Sequence, residues 1–191
     1  MGLIVVVSLF LAIKVHAGEP LEQLRVVVHK ALQILKDPKL QSENSKNERV
    51  HRLMKTVNPF IAYEEIAKRS LGAHWGRQTP SKQQEFVRLF RRFLERVYSS
   101  KIQLYDGQNV VLTRETMKKG YARIDSNIVN KKGEELALVF KLRRLDGRWK
   151  VYDLVTGDIS MIDNYHAQFD RIIANSSYEE LVKKIKDKTG S

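Results

Sequence analysis

Apolar residues repeat with a helical period in the first half of this chain and with a strand period in the second, and the change falls at Asp106-Gly107. Before it, Leu21, Leu24, Val28, Leu32 and Leu35 recur at helical spacing, and Asp37-Pro38 stops the run. The polar stretch 41–48 leads into a second helix whose apolar face is Val50, Leu53, Met54 and Val57. Asn58-Pro59 breaks that pattern, and Phe60 to Leu71 is expected as a further short helix. Thr79-Pro80 then supplies a cap and a proline at the first helical position. Behind it Phe86, Leu89, Phe90, Phe93, Leu94, Val97 and Tyr98 make a broad stripe opposite a basic face. After the change, Val110–Thr113, Tyr121–Val129, Glu135–Leu142 and Trp149–Val155 read as strands. Lys131-Lys132-Gly133 and Asp146-Gly147 read as hairpin turns, which implies antiparallel pairing. Residues 159–174 return to helix, and Ser177 with Glu180 forms a capping box for a last one. Helices, an antiparallel meander, then helices define an α+β chain with no linker or internal repeat. Such a curved sheet wrapped by helices can enclose an apolar cavity, but periodicity alone does not separate a cavity from a filled core.

The N-terminus speaks to location. Leu3 to Ile13 is an apolar run broken only by Ser8, and Val15 and Ala17 place small residues at a cleavage site. The run is too short to span a bilayer. The V-x-A pattern favours a cleaved signal peptide over a buried helix or an uncleaved anchor. The expected division is a signal peptide over 1–17 and a single domain over 18–191. No cysteine lies near the cut, which argues against a lipoprotein anchor.

The chain has no cysteine at all, which excludes disulfide scaffolds, thiol catalysis and cysteine metal sites, and fits a bacterial periplasm better than a small eukaryotic secreted domain. The formal charge is +12. An export signal argues against nucleic acid as the reason, and the basic residues are scattered rather than concentrated. The surplus suits docking near anionic headgroups or an acidic partner.

A search for chemistry finds little. His29, His51, His74 and His166 are isolated, with no metal-ligand spacing. There is no glycine-rich phosphate loop and no nucleophile elbow. Asp153 and Asp158 flank a strand end and are the first suspects for an acid and a base, but no nucleophile or oxyanion hole accompanies them. What remains is apolar content crowded on the long helix and after the last strand, which fits either a core or a pocket with few polar groups.

Residues 149–173 resemble the C-terminal signature of the MlaC (Ttg2D, toluene-tolerance) family. Trp149, Val151, Tyr152 and Asp153 match on the last strand, and Ser160, Asn164, Tyr165, Gln168 and Phe169 follow. Leu71-Gly72, Trp75, Thr79, Phe86, Phe90 and Phe93 resemble the family's central segment, and Tyr98 with Leu104 to Gly107 its helix exit. Two positions depart: Asp158 stands beside Gly157 where the family commonly has glycine, and His166 replaces a common arginine.

The resemblance implies an NTF2-like fold, in which a strongly curved antiparallel sheet, here of about four strands, is packed by N-terminal and C-terminal helices around an apolar pocket. It implies a periplasmic carrier of phospholipid, not an enzyme, with no cofactor and the lipid as cargo. The carrier would be a monomer serving an outer-membrane lipoprotein complex and an inner-membrane MCE-domain ABC transporter. Expected lining residues are Phe60, Leu71, Phe90, Phe93, Leu94, Val97, Tyr105, Val139, Val151, Ile159, Met161, Tyr165 and Phe169. Expected docking residues are Arg91, Arg92, Arg96, Lys118 and Lys119, while Trp149, Tyr152, Asp153 and Asn164 are expected to fix the turn and the helix that follows. An NTF2-like enzyme acting on a small apolar substrate, hopanoid binding and a purely structural adaptor are the alternatives.

Overall fold

The computed structural model describes residues 19–190. The expected signal peptide lies outside the described residues.

The change of period is realised as a helical half and a sheet. Helices α1 (Glu19–Lys36), α2 (Lys46–Val57), α3 (Tyr63–Leu71) and α4 (Pro80–Gln103) precede the strands. The strands are β1 (Asn109–Lys118), β2 (Tyr121–Val129), β3 (Glu135–Leu145), β4 (Arg148–Thr156) and β5 (Ile159–Ser160). Helices α5 (Met161–Asn175) and α6 (Tyr178–Thr189) close the chain. All neighbouring strands pair antiparallel in the order β1-β2-β3-β4-β5. Register shifts at Leu112/Arg114 and Lys141/Leu142 mark bulges, which bend the sheet.

Local chemistry explains the joints. The Thr79 hydroxyl accepts from Lys82 N, and Ser177 accepts from Glu180 N, so both expected caps form. Asp146 (φ 49°) and Gly147 (φ 76°) make a two-residue hairpin with positive φ at both positions. Lys119 (φ 45°) and Gly120 (φ 80°) repeat that geometry between β1 and β2.

Three sequence expectations are corrected. The helix expected over Phe60–Leu71 begins only at Tyr63, because Ile61 bridges to Val151 in parallel and Ala62 N donates to Val151 O at 2.8 Å. Strand β1 runs to Lys118, well past Thr113. Ile159 and Ser160 pair with Thr156 and Val155 as a fifth strand, so the helix expected from 159 begins at Met161.

Two cores result. One is helical, built around Ile66, Leu71, Phe86, Phe90, Leu94, Phe169 and Leu181 from α3 to α6. The other lies against the sheet, where Leu24 of α1 meets Ala122, Ile124, Leu142, Trp149 and Val151. Among the described residues no strand lies beside the outer edge of β1. There Leu21 N of α1 donates to the Glu115 carboxylate at 2.8 Å.

Candidate functional site: an apolar cavity between the two cores

The two cores share Ile61, which packs against both, and beside it lies a cavity of about 270 Å³ walled by helices α1 to α5 and strand β4. Helix α1 contributes Ala31 and Leu35, and α2 contributes Leu53, Met54 and Val57. Ile61, Tyr63 and Ile66 follow, then Leu94, Glu95, Tyr98 and Ile102 of α4. Val151, Tyr152 and Leu154 of β4 and Met161 of α5 complete the wall. The bridge between Ile61 and Val151 ties the α2–α3 connection to β4 and so fixes one side.

Glu95 is the one charged side chain among these lining residues, and it is held at the rim. Its Oε1 accepts from Asn58 Nδ2 and from Arg91 Nε, both at 2.8 Å. Asn58 Oδ1 in turn accepts from the Tyr63 hydroxyl at 2.8 Å, and the Arg91 guanidinium lies 5.0 Å from the Tyr63 ring centre. Burial pushes the Tyr63 and Tyr98 hydroxyls up to about 12. These phenols stay neutral at ordinary pH, so the wall presents apolar surface with a few hydrogen-bonding tips. Nothing in this lining pairs a nucleophile with a base.

Of the thirteen expected lining residues, Leu94, Val151 and Met161 lie on this wall. Leu71, Phe90, Phe93 and Phe169 are buried in the helical core, with Val97 and Tyr165 packed against it. Val139 is buried in β3, and Phe60 is half-buried in the turn before Ile61. The Tyr105 hydroxyl donates to Gln108 O at 3.0 Å. Ile159 is 67% exposed on β5. Sequence reasoning passed over most of the wall, including Leu35, Leu53, Met54, Ile102 and Leu154. The signal available was the apolar faces of the first two helices.

The expected docking residues belong to separate elements. Arg91 is engaged by Glu95 and Tyr63 at the cavity rim, Arg92 and Arg96 are exposed on α4, and Lys118 and Lys119 are exposed at the β1–β2 turn. Asp153 does join the last long strand to the next helix. Its carboxylate, only 2% exposed, accepts from Lys141 Nζ at 2.9 Å, Ser160 Oγ at 2.7 Å and Ile162 N at 3.1 Å. Asp158 is exposed, and neither aspartate belongs to the cavity wall. His166 Nδ1 lies 3.3 Å from Ser70 O, and His74 Nε2 lies 2.9 Å from Asp170 Oδ1. Among the described residues no cluster of three or more His, Cys, Asp or Glu is placed to hold a metal, and no helix is long and apolar enough to cross a membrane.

Residues 25–187 match the family model described as MlaC protein. The chain belongs to the MlaC family. It is 24% identical over 132 residues to the intermembrane phospholipid transport system binding protein MlaC of Haemophilus influenzae, across 66% of this chain and 62% of that protein. The match thus spans less than two thirds of that relative's length. The toluene tolerance protein ttg2D of Pseudomonas putida is 23% identical over 170 residues, across 88% of this chain and 79% of its own. A phospholipid-binding protein from Ralstonia solanacearum, solved in complex with a phospholipid, shares the fold at a TM-score of 0.78 and 22% identity, across 90% of this chain and 97% of that one. In this MlaC-family chain Asp158 lies on an exposed turn and His166 packs over Gly72.

Proposed function

We propose that this chain is a periplasmic phospholipid carrier. The observation that carries the reading is a cavity with an almost wholly apolar wall in a chain of the MlaC family. Each buried methylene contributes about 0.8 kcal/mol, so acyl chains cannot cross water unshielded at any useful rate. An apolar wall shields them without demanding one chain length. Ligand cavities commonly measure about 300–1,000 Å³, so a space of about 270 Å³ is at the small end. Taking up a whole lipid therefore requires the wall to part. The α1–α2 pair is the natural moving piece, since Leu35, Leu53 and Met54 reach the space from that side.

In this reading residues 1–17 are removed on export and 18–191 act as one lipid-binding domain. The protein is a monomer that needs no cofactor and performs no catalysis. It takes lipid from one membrane complex and gives it to another: an outer-membrane lipoprotein complex on one side and an MCE-domain ABC transporter on the other. The names of the Haemophilus and Pseudomonas relatives and the lipid-bound Ralstonia protein support this assignment.

The test is native mass spectrometry of the purified protein, followed by extraction and identification of what it carries. Phospholipid at defined stoichiometry is expected. A hopanoid would change the cargo class. A protein that is empty and also takes no lipid from vesicles would end the carrier reading.

A further inference from the structure

Helix α4 carries two kinds of basic residue. Lys82 pairs with Glu179, and Arg91 with Glu95, each at 2.8 Å. Arg88, Arg92 and Arg96 are all exposed, and among the described residues none of the three has an ion pair, hydrogen bond or ring contact, although Arg96 Nη1 lies beside Gly190 at the end of α6, 3.5 Å from where a Cβ there would be. They stand four residues apart, so they form one row, with about 12 Å between the first and last Cα atoms. Like charges at this spacing oppose helix formation. In a chain of net charge +12, distant acids do little to relieve them. Within the fold only Arg96 gains, from the carbonyl end of α6, and what would gain from the rest of the row is an anion outside the protein.

The neighbours say which anion. A protein interface needs a dehydrated apolar or aromatic centre. Here the aromatic residues of α4 point away: Phe86, Phe90 and Phe93 are each no more than 9% exposed. The row offers guanidinium forks and no apolar patch. Such forks match phosphate oxygens two at a time, and a bilayer surface presents phosphates in a plane. The row faces outward from α4: Arg92 lies about 60° round the helix from Glu95 of the cavity lining, but about 160° from Leu94 and about 120° from Tyr98.

We infer that Arg88, Arg92 and Arg96 dock the protein on an anionic bilayer through lipid phosphates, at the outward face of α4. The inference rests on the carrier reading for its purpose, but not for its test. The full chain is compared with its Arg88→Gln/Arg92→Gln/Arg96→Gln variant in sedimentation with vesicles of phosphatidylethanolamine and phosphatidylglycerol, and with vesicles of phosphatidylcholine alone. Both proteins carry the same N-terminus, so any contribution of residues 1–17 cancels. Each arginine is expected to contribute about fivefold, so the triple variant binds anionic vesicles about a hundredfold more weakly. Added salt abolishes most of that difference, and phosphatidylcholine vesicles do not distinguish the two. Equal binding of both proteins to anionic vesicles overturns the inference. So does a parent chain that ignores those vesicles while the variant still loses delivery to a membrane-protein acceptor, an outcome that assigns the row to an acidic protein. Removing like charges leaves the melting temperature unchanged or raised, which excludes unfolding as the cause of weaker binding. Native mass spectrometry of both proteins reads lipid content separately: loss of the carrier reading shows there, and loss of the docking inference shows only with vesicles.

Discussion

The helical core and the cavity are made from similarly apolar segments, yet in one the side chains interlock and in the other they leave a space. In the helical core Phe86, Phe90, Phe93, Tyr165, Phe169 and Tyr178 interlock, with ring centres 5.1–6.1 Å apart. Flat rigid rings, some edge to face and others tilted or stacked, tile a space with few gaps. Around the cavity the wall is mainly aliphatic and thioether: Leu35, Leu53, Met54, Ile102, Leu154 and Met161. Apart from Leu154 of β4, these chains come from helices, and all six border the same open space. Unbranched, polarizable chains such as methionine adapt to what they meet. Hydrophobicity thus decides that a residue turns inward, while side-chain shape and the distance between backbones decide whether the inside is solid.

The contrast can be broken most directly by truncation. Phe86 is fully buried, and Phe86→Ala should cost about 3–5 kcal/mol in urea unfolding. Met54→Ala, at the cavity, should cost only about 1 kcal/mol, because much of that side chain faces space rather than atoms. The same variant should hold lipid less well in native mass spectra. Equal stability losses from the two truncations would mean that the cavity region is packed as tightly as the helical core.

A second variant tests how rigid the helical frame is. Gly72 sits at φ 54° and ψ −128°, and an added Cβ would lie 2.4 Å from Cε1 of His166. Gly72→Ala should destabilise by about 2 kcal/mol, part from the backbone and part from the clash. Adding His166→Ala should recover only the second part. Full recovery would show that the backbone at Gly72 adjusts freely.

The smallest expected effect is alkaline. Tyr63 and Tyr98 at the cavity, and Tyr178 in the helical core, are all pushed up to about 12, chiefly by burial. Below about pH 10 these phenols are neutral in both folded and unfolded chains. Between about 10 and 12 the unfolded chain releases their protons while the folded chain keeps them, so stability falls as pH rises through that window. The Tyr63→Phe/Tyr98→Phe variant should lose less stability there. Phenolate absorbance followed against pH in the parent chain, with and without lipid, should place the cavity pair later when lipid is bound. Indifference to lipid would detach those two hydroxyls from the cargo.

The elements were legible where one residue type has one conformational consequence. Thr79-Pro80, Ser177 with Glu180, and Asp146-Gly147 each formed what their chemistry dictates. Lys119-Gly120 escaped notice because lysine seldom takes positive φ, and only the closed register of β1 and β2 reveals that it does. Strand β1 was cut short because Arg114 to Lys118 has Met117 as its single apolar residue and lies mostly in solvent, so it carries no alternation to read. The site was harder. Leu53, Met54 and Val57 were visible as a helix face, but a sequence does not state whether such a face meets a partner. Phe90, Phe93 and Phe169 gave the louder signal, and they built the frame beside the cavity.

The outer edge of β1 bears on how these molecules behave in a crowd. A bare strand edge invites pairing with the edge of another copy, the first step toward fibres. Here a bulge at Leu112/Arg114 breaks the straight run of amides. Arg114, Glu115 and Lys118 stud the edge with charge, and α1 clasps it through Glu115. A chain that keeps its apolar space inside and a blunted edge outside is expected to stay dispersed as its concentration rises, so its colloidal behaviour is written into the strand at the border of its sheet.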